Sequence, residues 1–70
     1  MTIAPLLVAV DFEGSEQFVI VMFDVSAGSF KHSSGALSEQ DASAFFIENG
    51  ETPPDIQRRF QVARDNKGLI

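Results

Sequence analysis

Two apolar runs close to one end of the chain constrain its fold more than any other feature. Leu6 to Phe12 and Phe18 to Val25 alternate as β-strands and are separated by Gly14-Ser15, a turn signal. A two-residue turn there pairs Glu13 with Glu16, Val10 with Val19 and Val8 with Val21. One face of the hairpin then carries Leu6, Val8, Val10, Phe12, Val19, Val21 and Phe23. The other carries Leu7, Ala9, Phe18, Ile20 and Met22, ending in Asp11, Glu13 and Glu16. An antiparallel sheet with one wet face alternates apolar and polar residues more cleanly than this. Both faces therefore need cover.

The rest of the chain supplies cover for one of them. Ser26-Ala27-Gly28 reads as a turn, and Ser29 to His32 as a short edge strand whose Lys31 blunts unwanted pairing. A first helix is expected over about 39–49. Ser38 is placed to cap it, Asp41 stands three residues on, and Leu37 is placed to staple onto Ala42. Ala42, Phe45, Phe46 and Asn49 share one stripe, and Gly50 stops the helix. A second helix is expected over 53–67, with Thr52 as its cap and Pro53 at its first position. Its stripe is Ile56, Phe60, Ala63 and Lys67, and Gly68 ends it. The order is ββ(β)αα. This is an α+β fold of one small domain, residues 1–70, with a hairpin over 5–25 and two short helices on one sheet face.

Seventy residues with no cysteine cannot add disulfides or thiolate–metal sites to a small core, and a lone His32 excludes an imidazole cluster. No cofactor or metal is expected. Association is the remaining way to supplement the core. The 44% hydrophobic content and seven Phe favour a folded chain.

Charge is unevenly spread. Residues 1–57 hold nine acids and only Lys31, whereas residues 58–70 hold Arg58, Arg59, Arg64 and Lys67 against Asp65, leaving −5 in all. An acidic surface disfavours nucleic-acid binding, which needs a cationic footprint. The apolar stretch from Ile3 to Val10 has no basic residue before it and runs into Asp11 and Glu13, so it reads as a strand, not as a secretory signal or a membrane span. A cytoplasmic location is expected.

Three constellations bear on chemistry. Val8 to Glu13 resembles, over about six residues, the first motif of the exonucleases that use four acidic residues and two metals. Those enzymes need further acids in a domain more than twice this long. Here Asp41 and Asp65 have cap and surface roles, so Asp11, Glu13 and Glu16 read as solvation of the hairpin tip. The two helices around Gly50 invite a helix-turn-helix reading with Arg58 and Arg59 exposed, but Thr52-Pro53-Pro54 is a stiff start for a recognition helix. The Phe45–Phe46 pair places one ring in the core and leaves the other partly outside.

The sequence thus points to a small, acidic, non-catalytic protein-binding module. Its style suits an accessory or inhibitor protein of a bacteriophage or other mobile element, one that occludes a site on a larger host protein. A homodimer is expected too. The association residues are expected to be Leu7, Phe18, Ile20, Met22 and Phe46, rimmed by Asp11, Glu13 and Glu16 as an acidic docking edge. If the helices instead cover that face, association moves to the face of Val8, Val10, Val19 and Val21. The alternatives are a DNA-binding regulator using the helix 53–67 and a structural subunit of a phage particle or multiprotein assembly.

Overall fold

The computed structural model describes residues 2–67. Three antiparallel strands, β1 (Ile3–Phe12), β2 (Ser15–Asp24) and β3 (Ser29–Ser33), form one sheet in the order β1-β2-β3. Helices α1 (Glu39–Glu48) and α2 (Pro53–Asp65) follow, so the expected ββ(β)αα order is present. The second helix ends at Asp65, two residues short of the expected 67, with Asn66 as its C-cap; Gly68, expected to end it, lies outside the described residues.

The hairpin turns one residue earlier than expected. Glu13 and Gly14 occupy the turn with φ of 53° and 81°, and Phe12 pairs with Ser15. Positive φ at both central residues matches the right-handed twist of the strands. A glycine in the second place makes that geometry accessible. Val8 consequently pairs with Val19, Val10 with Gln17, and Asp11 with Glu16. Each partner moves by two residues, so every side chain keeps the face assigned from the alternation.

Phe18 exchanges backbone hydrogen bonds with Leu37, and the Ile20 carbonyl accepts from the Ser34 amide at 2.8 Å. The polar backbone groups of both residues thus point away from β1. Pro5, opposite Met22 in the same alternation, therefore turns its missing N–H to the outer edge, where proline does no harm. On the far side, residues 29–37 line β2 with a register shift between Met22 and Phe23. Leu37, expected only as a staple, extends this pairing as an isolated bridge and packs against the core.

Both helices lie on one face. Leu7, Ala9, Phe18 and Ile20 meet Ala42 and Phe46 of α1 and Ile56, Phe60 and Ala63 of α2. Phe18 and Phe60 pack edge to face with centroids 4.8 Å apart, an arrangement aromatic rings prefer. Ala9, Ala42 and Ala63 are small enough for helix and strand to approach closely. Ser38 caps α1 as expected, its Oγ accepting from the Asp41 amide at 3.1 Å. Thr52 does not cap α2 through its side chain. Its hydroxyl instead donates to Asp55 Oδ2 at 3.0 Å, which leaves the backbone to be served by Pro53 and Pro54, neither of which has an N–H to satisfy. Among the described residues no helix is long and apolar enough to cross a membrane.

Candidate interaction surface

The placement of the helices reverses the expected assignment of the two sheet faces. Leu7, Phe18, Ile20 and Phe46 are buried in the core, and Met22 is half-buried against it. They are the inner face of the fold, not an association surface. Besides the packing of Phe18 on Phe60, charge at the end of that face favours this seating. Asp11 and Glu16 stand opposite each other on β1 and β2, on the same side as Leu7 and Ile20. They meet the cations at and just beyond the end of α2: Lys67 Nζ, in the turn that follows, lies 2.6 Å from Asp11 Oδ1 and 3.1 Å from Glu16 Oε2. Arg64 Nε also contacts Glu16, at 3.1 Å, and its Nη2 reaches Glu39 of α1.

Asp11 and Glu16 therefore tie the second helix to the hairpin tip and are not a free docking rim. The bonds from Lys67 and Arg64 hold the Glu16 carboxyl below its ordinary value of 4.5. In return, Glu16 and then Glu39 raise Arg64, and Asp11 and then Glu16 raise Lys67. Arg64 lies 5.4 Å over the Phe18 ring and 5.6 Å over Phe60, so the clasp also roofs the end of the core. Glu13 stays exposed in the turn. The acidic triplet is thus split, and no group of three or more His, Cys, Asp or Glu suited to a metal occurs among the described residues.

The other cations of α2 are largely engaged as well. Arg59 makes a two-pronged contact with Glu51, at 2.6 and 2.7 Å, and stacks 4.4 Å over Phe46. Arg58 remains on the surface with Asp55 at 3.7 Å. An open groove of about 550 Å³ runs between β1 and α2 past Leu6, Val62, Arg58 and Arg59, where the Arg59–Glu51 and Arg58–Asp55 pairs balance its charge.

The uncovered surface is the opposite sheet face. Ala4, Leu6, Val8, Val10 and Phe12 of β1 share it with Val19, Val21 and Phe23 of β2. Phe30 of β3 joins them, its ring 5.3 Å from that of Phe23. Phe12 and Phe30 protrude most, at 57% and 61% exposure, while the valines between them are half-buried only by their neighbours in the sheet. No ionisable side chain of β1 or β2 points to this side. Phe30 was not among the expected association residues. Its signal was a phenylalanine in an otherwise polar edge segment, Ser-Phe-Lys-His-Ser.

Asp24 is a second feature that sequence reasoning missed. It is only 3% exposed, yet its Oδ1 accepts from the Ala27 amide at 3.1 Å and its Oδ2 faces Lys31 Nζ at 3.8 Å. It organises the β2–β3 turn, the local role that aspartate side chains often take in turns.

Set against family models, curated proteins and solved structures, the chain matches none.

Proposed function

We propose that the protein is a non-catalytic protein-binding module that acts through its open sheet face, in the manner of an accessory or inhibitor protein that occludes a site on a larger protein in the cytoplasm. The observation that supports this reading is the contiguous apolar surface from Leu6 and Phe12 across Val19 and Val21 to Phe23 and Phe30, which no described element covers. Monomeric proteins seldom leave such a patch bare unless it binds something. A preformed sheet face needs little reordering on binding, so little of the contact energy is lost to entropy.

The DNA-regulator alternative gains nothing from α2. Three of its cationic partners for phosphate, Arg59, Arg64 and Lys67, already face carboxylates within the chain. The nuclease-like segment is equally poor in support, because Lys67 sits between Asp11 and Glu16 where a metal would be needed. No magnesium- or manganese-dependent nuclease activity is expected, and Asp11→Asn combined with Glu13→Gln should remove none.

The test is comparative capture. Proteins recovered from lysate by the wild type should be lost with Phe30→Glu and Val21→Lys, and retained with Ile47→Lys, a change at an exposed apolar residue of α1. Equal recovery by all four proteins would overturn the reading.

A further inference from the structure

We propose that the occupant of the open sheet face is a second copy of this chain, packed sheet on sheet about a two-fold axis. This rests on the protein-binding reading above: the second copy covers the face reversibly, and a larger protein competes with it for the same surface.

Charge is the first argument. The chain carries a net −5, so two copies repel unless they meet where neither is charged. The β1 and β2 positions on the open face hold no ionisable residue. The ion pairs of Asp11, Glu16, Asp24, Glu39 and Glu51 all lie within one copy. A foreign partner chosen by charge would find no charge on this face to read. A second copy needs none, because a two-fold contact matches a patch with itself.

Area is the second argument. With a rise of about 3.3 Å per residue and strands about 4.8 Å apart, the face covers roughly 400 Å² in projection, and its corrugated accessible surface is larger. Two copies then bury on the order of 1,000 Å², the lower bound of a specific interface. The size fits a small symmetric dimer in reversible exchange with monomer. The assembly has four layers, helices–sheet–sheet–helices, with the two sheets about 10 Å apart as in sandwiches. It buries the valines of both copies and leaves every helix and ion pair outside.

The deciding experiment is molar mass by light scattering and sedimentation from micromolar to millimolar concentration. The wild type and Ile47→Lys should move from the monomer mass toward twice that mass as concentration rises. Phe30→Glu and Phe12→Glu should remain monomers at every concentration while keeping native circular dichroism. Both rings are exposed and outside the core, so these variants test the face without depending on the fold of Val21→Lys. In a mixture of isotope-labelled and unlabelled protein, contacts between copies should involve the methyls of Val8, Val19 and Val21 and not those of Leu7 or Ile20. A wild type that stays monomeric throughout overturns the proposal, as does a dimer that survives both phenylalanine changes. If a monomeric wild type still loses its captured proteins on Phe30→Glu, only the second-copy assignment fails. If neither mass nor capture responds to the face variants, the protein-binding reading fails with it.

Discussion

Lys67 Nζ lies 2.6 Å from Asp11 Oδ1, joining the turn after α2 to the hairpin at the opposite end of the sequence. The contact spans most of the chain, and with Arg64–Glu16 it orients the second helix along β1. A pair this exposed contributes little by itself. Its value is directional, since it favours one seating of the helix over others.

The clasp makes stability depend on pH at both ends. The folded pKa of Glu16 is depressed, so its contribution is present above the ordinary 4.5 and is lost as pH falls through the lowered folded value. Lys67 is raised, so its contribution is present below the ordinary 10.5 and is lost as pH rises through the raised value. Thermal melts should show a fall in Tm on the acid side, and Glu16→Gln should flatten that fall. An unchanged acid limb in Glu16→Gln would show that the bridge does not contribute. High salt should lower the neutral-pH Tm of the wild type more than that of the variant.

The two helix caps should behave differently. Ser38→Ala removes a bond to the Asp41 amide and is expected to cost about 0.5–2 kcal/mol. Thr52→Ala removes no backbone cap and should cost less than about 0.5 kcal/mol, as surface changes usually do. Urea unfolding of the two variants side by side checks this. Equal losses would mean that Thr52 caps α2 in solution.

The hairpin turn holds a residue that geometry disfavours. Glu13 has φ of 53°, where side chains other than Gly, Asn and Asp are uncommon. Glu13→Asn creates the favoured Asn-Gly turn and should stabilise the protein by about 0.5–1 kcal/mol. Gly14→Ala, at φ of 81°, should cost roughly 1–2 kcal/mol although a Cβ there meets no neighbour. A destabilised Glu13→Asn protein would place the turn elsewhere, one residue along at Gly14-Ser15.

Core and open-face phenylalanines should separate cleanly in the monomer. Phe60 is buried against Phe18, so Phe60→Ala is expected to cost about 3–5 kcal/mol, comparable to the whole stability of a domain this small. Phe30→Ala should cost less than about 1 kcal/mol at dilution, losing mainly its edge contact with Phe23. Denaturant titration at low protein concentration measures both. A Phe60→Ala protein that unfolds at the wild-type midpoint would show that α2 does not seat on this face.

Much of the molecule was legible in the residues. Period-two alternation assigned every hairpin side chain to its face, and the turn could shift by a residue without disturbing that assignment, because a two-residue change of partner preserves parity. Ser38, Gly50 and the stripe Ile56, Phe60, Ala63 announced the helices and their buried sides through local chemistry. What alternation cannot express is which of two apolar faces a helix will choose: the face left open is the richer in apolar residues and holds no ionisable group on β1 or β2, yet the helices cover the other. That choice was made in three dimensions. Ala9 opens room beneath the helices, Phe18 fills against Phe60, and Asp11 and Glu16 at the end of the same face meet Arg64 and Lys67. Local patterning defined two faces and two amphipathic helices. Which face became the core was settled on folding, because contacts such as Arg64–Glu16 and Lys67–Glu16 join residues some fifty positions apart.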